Sequence, residues 1–473
     1  MEKFRVAVIG AGIAGLAAAY RCIENGERNV VVLEADAVAG GLSRSISDGG
    51  FIFDLGPHQI HTPYEEVILF LQRLLAADLL VEKKRASQKF LGREINYPLC
   101  FNDVLFKLPP AVSFATFLSY LRQQLAGLFG KGEPTNFAEW VIHNFGQKLY
   151  DVYFGPYTTK VWGVPPTQMT ASSAAERIAV PSLLDVLLNA ISHRFLRFGK
   201  HHNLPHSPYQ RIFHYPRRGS GQLADLMAER IVNGGGRILC HQPVSRLQSG
   251  AESMRIECGS GYELSAEQVV STIPIDRLQL MLEGSPRQNP RLELRYRSLI
   301  LFFLKVAKAR VMPYHWIYFP DRDCIFQRAS EFTNFSEAMA PAGKTGICLE
   351  IPCDYQDGVW KMDPAALFAR VMGDAQRQNY LNSEWVEGFR IVRERHAYPL
   401  YELGCEKKLA RIKEYLGSFP RLQSVGRQGE FRYINVDDAL LTGFAAADRL
   451  RAITPLVLPL TCLARTPSAR ILS

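Results

Sequence analysis

Three glycines near the start of the chain stand where a phosphate can be held. Gly10, Gly12 and Gly15 spell GxGxxG, and an acid, Glu34, closes the next apolar run. Glycine at the first position permits a tight turn, at the second it lets backbone approach a pyrophosphate, and at the third it lets helix and strand close on each other. The helix that begins there turns its N-terminal N–H groups toward the phosphates, and a carboxylate at the place of Glu34 accepts hydrogen bonds from a ribose. Two histidines, His58 and His61, share the aromatic-flanked Gly-Pro loop FIFDLGPHQIHT. Trp316 and Tyr318 alternate in HWIYFP, so on a strand they share a face. Taken singly, Trp162 in KVWGVPP and Arg177 beyond it read as a buried tryptophan and an ordinary helix arginine.

The elements needed to hold these residues are legible. FRVAVI is a β-branched run of strand length, LAAAYRCIENG is a helix stopped at Gly26, and NVVVLEA is a second strand. That β-turn-α-β frame puts the glycines on the turn. Residues 64–80 and 109–150 carry helical periodicity, and the Phe and Leu stripe of AVSFATFLSYLRQQLAGLFG is expected to be core. YPRRGSGQ is a second glycine-rich turn before the helix LADLMAERIVNGGG, and RILCHQPVSRLQ reads as the following strand. VVSTIP is a buried strand returning to the first sheet, and YRSLILFFLKVAK is a fully buried strand that opens a further lobe.

Composition bounds the rest. A chain of 473 residues with 47% apolar and 21% charged residues is an ordinary folded protein of two or three domains. Disordered, collagenous and disulfide-scaffold classes are excluded. The net charge of +9 invites a phosphorylated partner, but the basic residues are dispersed. The short clusters Lys83-Lys84-Arg85 and Arg217-Arg218 read as solvated surface, and no nucleic-acid partner is expected. Nine cysteines without a CxxC pair read as reduced thiols, with no metal site. No apolar stretch is long enough to span a bilayer and no signal peptide is evident, so a cytoplasmic protein is expected. The apolar, proline-bearing end ITPLVLPLTCLARTPSARILS is expected to be a poorly ordered tail able to touch a membrane.

After Glu34 the chain continues E-x5-GG-x2-R, through Gly40, Gly41, Leu42 and Arg44. With GPHQIHT, KVWG, WIYFP followed by Arg328, HAYPLYELG and GRQGEFRYINVDDAL, this resembles the flavoproteins that include amine oxidases, protoporphyrinogen oxidases and UDP-galactopyranose mutases. In motifs it is closest to the eukaryotic-type mutases, over residues 4 to about 450. The resemblance implies an α/β fold: a Rossmann-like FAD domain of the GR2 flavoprotein type (residues 1–63, 205–290 and 390–455). A helical lobe (64–204) and a sheet-bearing substrate lobe (291–389) would be inserted in it, with 456–473 as tail. It implies FAD held by Gly10, Gly12, Ala14, Gly15, Glu34, Gly41, Leu42, Arg44, His58, Val244, Gly426, Asn435 and Asp437. A neutral His58 would bond the flavin or adjust its redox state. Arg177, Arg328, Tyr398 and Tyr433 would grip a substrate diphosphate, and Trp316 and Tyr318 would line the cleft.

Two functions follow from the resemblance. The preferred one is a redox-neutral enzyme on a nucleotide-diphosphate sugar, working through reduced flavin N5, with NAD(P)H a candidate reductant. The alternative is an oxidoreductase taking hydride from an amine, a porphyrinogen or a similar substrate; Lys305 could in that case sit near N5, but it reads better as a strand-end lysine reaching solvent. Where mutases carry Gln-Asn after Tyr-Pro, this chain has Cys100 and Phe101, and Gln210 stands for an expected Asn. These departures bear on uridine and galactose more than on the diphosphate.

Overall fold

A computed structural model describes residues 1–97, 99, 101–127, 132–175 and 212–453. Its strands in chain order are β1 (Glu2–Ile9), β2 (Val30–Leu33), β3 (Ser45–Asp48), β4 (Phe51–Asp54), β5 (Leu79–Lys83), β6 (Ala86–Phe90), β7 (Arg93–Asn96), β8 (Ile212–Pro216), β9 (Arg237–Leu239), β10 (Val244–Ser249), β11 (Met254–Cys258), β12 (Glu263–Ser271), β13 (Leu282–Glu283), β14 (Tyr296–Val306), β15 (Trp316–Tyr318), β16 (Arg328–Glu331), β17 (Thr345–Cys353), β18 (Val386–Pro399) and β19 (Leu422–Ser424). The helices that matter first are α1 (Ile13–Glu24), α2 (Glu65–Leu75), α3 (Phe101–Phe106), α4 (Pro110–Gly127) and α5 (Phe137–Phe145).

One sheet has the order β13-β10-β11-β12-β1-β2-β9, with β19 also paired to β12. β1 lies parallel to both β2 and β12, so the β-turn-α-β frame and the returning VVSTIP strand stand side by side as expected. RILCHQPVSRLQ is not one strand. It divides into β9, beside β2, and β10, on the far side of the sheet. Residues 240–243 make the crossing, and Gln242 N–H donates to the Glu34 carbonyl at 2.8 Å.

The second sheet has the order β18-β14-β17-β16-β15-β6-β7. β14 is the buried strand YRSLILFFLKV, flanked by β17 and β18. Three of its members cut across the expected division. β6 and β7 come from residues 64–204, and β18 runs across the 389/390 boundary. Aromatic residues fill the space under this sheet: Phe53 packs on Phe303 at 4.9 Å, and Trp316 stacks on Phe335 at 6.2 Å.

α4 reverses an expectation. Its Phe and Leu stripe is not core: Phe114, Phe117, Leu118, Leu121 and Leu125 are all exposed. Ser113 and Thr116 are buried instead.

Candidate functional site

The glycine turn follows β1 directly. Gly10 adopts φ +96°, and a Cβ there would lie 2.4 Å from Thr272 Oγ1. A Cβ on Gly15 would lie 2.0 Å from the Gly10 carbonyl, so α1 can approach the turn only as glycine. At Gly12 a Cβ would meet nothing within 4 Å, which leaves an open face above the N-terminus of α1. Glu34 reaches back to this turn, accepting from Ala11 N–H at 2.7 Å and Asp36 N–H at 2.9 Å. The second glycine pair closes on the first: Gly40 N–H donates to the Ala11 carbonyl at 2.8 Å. A Cβ on Gly41 would lie 3.0 Å from Gly12 Cα. Leu42 sits in the short 3-10 turn Gly41–Ser43. Arg44 bonds the Gly41 carbonyl at 2.8 Å and pairs with Glu394 of β18, tying the glycine loops to the second sheet. Val244 begins β10 just after the Glu34 crossing.

The C-terminal motif comes to the same place. Gly426, at φ +82°, packs so closely on α1 that its Cβ would lie 2.7 Å from Ala14 Cβ. GRQGEFRYINVDDAL forms no strand; β19 precedes it, and the helix Val436–Ile453 starts within it. Asn435 is exposed at that helix start and accepts from Ala439 N–H at 3.0 Å. Asp437 is buried in the first turn. Burial, then the neighbouring Asp438 charge, pushes its pKa up to about 6.

His58 stands on the loop after β4. Gly56, at φ +105°, carries that loop so tightly over β17 that a Cβ would lie 3.2 Å from Glu350 Oε1. Burial, then the charges of Arg427 and Arg328, hold His58 down at about 3, so its imidazole is neutral at working pH. Its Nδ1 is buried without a protein partner. So are Gln59 Oε1 and His61 Nε2 on the same loop, and Gln428 Oε1 and Asp437 Oδ1 in the C-terminal motif. An open glycine cradle, an acid beside it and unspent buried polar atoms fit a dinucleotide with a polar ring system.

The second sheet supplies the other wall. Strand register places Tyr318 beside Arg328, and Arg328 beside Glu350. Arg328 grips the fully buried Glu350 with two bonds, Nε to Oε1 at 2.6 Å and Nη2 to Oε2 at 2.8 Å. Its Nη1 donates to the Tyr318 hydroxyl at 3.3 Å. Arg328, expected to bind a diphosphate, is charge-compensated by Glu350 in this structure. Tyr398 reaches Glu350 Oε2 at 3.5 Å, and its ring lies 5.6 Å from Tyr433. Tyr97 packs on Tyr318 at 4.2 Å. These contacts join Tyr97, Tyr318, Arg328, Tyr398 and Tyr433 along one surface; Trp316, expected beside Tyr318 on it, is buried in the core against Phe335.

At its ends are two cations that no carboxylate pairs among the described residues. Lys84 lies over the rings of Trp316 at 5.6 Å and Tyr97 at 5.7 Å, and burial lowers its pKa. Arg427 lies over Tyr433 at 4.8 Å and is held by the carbonyls of Ile434 and Ala397. Lys84 is therefore not solvated surface. It occupies the link between β5 and β6, a position that a basic triplet in the sequence does not betray. Arg427 had a weak signal, its place in the last motif.

Glu350 and Asp54 were also missed, since both act through strand register. Asp54 accepts from Ser45 Oγ at 2.6 Å, from Ser220 N–H at 3.0 Å and from the Tyr215 hydroxyl. It thereby pins the second glycine-rich turn to Ser45, just past the Gly40-Gly41 pair. Lys305 is ion-paired with Asp48 at 2.8 Å and is not an available amine. Arg177, Cys100, Gln210 and the side chain of Phe101 lie outside the described residues.

The family described as flavin containing amine oxidoreductase matches residues 13–451, and the chain belongs to it; FAD is its cofactor. Among individual relatives, the UDP-galactopyranose mutase of Mycoplasma pneumoniae is 22% identical over 461 residues, covering 95% of this chain and 96% of that protein. A crystal structure of reduced UDP-galactopyranose mutase superposes with a TM-score of 0.84 at 25% identity, covering 95% of this chain and 96% of the other. The mitochondrial protoporphyrinogen oxidase of Nicotiana tabacum is 51% identical, but over 67 residues, 14% of this chain and 13% of that one.

Proposed function

We propose that this flavoenzyme rearranges the sugar of a nucleotide-diphosphate sugar without net oxidation. The carrying observation is its likeness to UDP-galactopyranose mutases over nearly the whole of both chains. Reduced FAD, when bound, supplies an electron-rich N5 toward the anomeric carbon of such a substrate. The side chains then bind and orient. Lys84 and Arg427, uncompensated among the described residues, match the charge of a diphosphate. Arg328 keeps Nη1 toward the Tyr318 hydroxyl while Glu350 occupies its other face, so it orients more than it attracts. Tyr398 and Tyr433 would add neutral donors, with Arg177 as a further cation. Tyr318 and Tyr97, packed ring on ring, would wall the cleft against water, with Trp316 buried on the same strand as Tyr318. His58, neutral, can hold a proton on one ring nitrogen without adding charge.

We propose a reducing, cytoplasmic setting, in keeping with the free thiols of Cys22, Cys240, Cys258, Cys324, Cys348, Cys353 and Cys405, with NAD(P)H as the candidate reductant. The oxidase reading has lost Lys305 to its ion pair.

The test is turnover of UDP-galactofuranose and other nucleotide-diphosphate furanoses, with and without dithionite, followed by chromatography. Conversion to the pyranose form by the reduced protein alone is expected. The departures at Cys100, Phe101 and Gln210 predict that plain UDP-galactose is not the preferred ligand. Oxygen uptake with amines or porphyrinogens, and no turnover of any nucleotide-sugar, would overturn the reading.

A further inference from the structure

α4 is turned inside out. At about 100° per residue, Phe114, Phe117, Leu118, Leu121 and Leu125 share one stripe, and the structure leaves them 65%, 36%, 49%, 37% and 60% exposed. Phe106, at the end of α3, is 79% exposed beside them in sequence. The inward face is small and polar, and specific contacts pin it. Ser113 Oγ donates to the Val104 carbonyl at 2.7 Å, and Ser119 Oγ accepts from Lys148 N–H at 3.0 Å. Gly146 comes so close that a Cβ on it would lie 2.9 Å from the backbone at Ser119 and Tyr120. A larger inward side chain would break this approach, so the helix cannot roll its apolar stripe into the core.

The charges around the stripe indicate what covers it. From Val104 to Gly132 the sequence has no acid, and its charged residues are Lys107, Arg122 and Lys131. Arg122 is exposed on the flank of the stripe, next to Leu121, and has no carboxylate partner among the described residues. Lys107 pairs with Asp103 and remains 42% exposed. An aromatic and leucine face flanked by the exposed Arg122, in a stretch of sequence without acids, suits the boundary between anionic headgroups and acyl chains. No described helix is long and apolar enough to cross a membrane, so contact would be in the plane of the surface.

We infer that α4, with the end of α3, is a docking face for an anionic phospholipid surface. α3 begins just past Tyr97, one wall of the cleft, so the docked protein would carry its cleft close to the bilayer. The inference is independent of the proposed reaction.

The test is co-sedimentation of the FAD-loaded full chain with vesicles of phosphatidylcholine alone or with about one third phosphatidylglycerol. Binding to the anionic vesicles about tenfold or more stronger than to the neutral ones is expected, weakening with salt. The double variant Leu118→Glu/Leu121→Glu should lose it while keeping its flavin spectrum and melting temperature. Arg122→Glu should reduce the preference for anionic lipid. Absence of binding by the unaltered protein would overturn the inference. So would a concentration-dependent dimer abolished by the double variant, which would make the stripe a contact between copies. A double variant that melts well below the parent would also overturn it, because another segment of the chain would then cover the stripe.

Discussion

At the scale of single residues, the Arg328–Glu350 pair decides how a loss of function must be read. Glu350 is fully buried, and two of its bonds come from Arg328. Removing one partner of a buried pair leaves an uncompensated charge, at a cost of about 3–5 kcal/mol. Arg328→Met should therefore unfold at clearly lower urea, whatever its effect on substrate. Arg328→Met/Glu350→Gln should recover much of that stability without regaining substrate affinity. Urea midpoints and ligand titrations on the three proteins check this; a double variant no more stable than the single would show that the pair is not the anchor described. His58 belongs to the same argument. Its neutral state is a consequence of where the Gly56 turn buries it, with Arg427 and Arg328 adding to the effect.

At the scale of elements, the turn between β1 and α1 separates two kinds of glycine. Gly12 has φ −71°, a conformation open to any residue, and free space before it. Gly15 has the Gly10 carbonyl in the way. Gly12→Val should thus fold with a near-parental melting temperature but elute colourless, its added methyls occupying the place of the pyrophosphate. Gly15→Val should lose stability by about 1–3 kcal/mol or more as the turn is forced apart. Absorbance at the flavin band and thermal melts distinguish them. Equal FAD content in Gly12→Val and the parent would remove the diphosphate from this cradle.

At the scale of the whole molecule, stability depends on how the β5–β8 ribbon and the second sheet are held together. His315 is fully buried at that junction, its ring 5.0 Å from Phe213 and 4.9 Å from Phe335. Burial, then the Arg85 charge, brings its pKa down to about 4. The unfolded chain takes up that proton first, at its ordinary value of about 6.5. This contribution is complete above pH 6.5 and is lost as the pH falls toward 4, at about 1.4 kcal/mol per pH unit. His315→Phe removes the titration. The stability gap between parent and variant should shrink by about 3 kcal/mol from pH 7.5 to pH 4, read from urea midpoints. A constant gap would mean that the ring takes up its proton in the fold as readily as in the unfolded chain.

The glycine motif and Glu34 were legible in the sequence because one β-turn-α-β unit carries them and its spacing is enforced by local sterics, while FAD was legible through the family resemblance of that unit and the motifs that follow it. The buried strand β14 was equally plain from its composition. What the sequence could not reveal depends on contacts between distant segments. Glu350 meets Arg328 through strand register, and Lys84 reaches Trp316 because β6 lies parallel to β15. The lobe boundaries blur for the same reason, since β6, β7 and β18 join a sheet from afar in the chain. α4 makes the distinction sharpest. Periodicity determined that one of its faces is apolar, but a stripe has the same period whether it meets a core or a lipid surface. Which way it faces was decided by Ser113, Ser119 and the close approach of Gly146, contacts that exist only once the helices have packed.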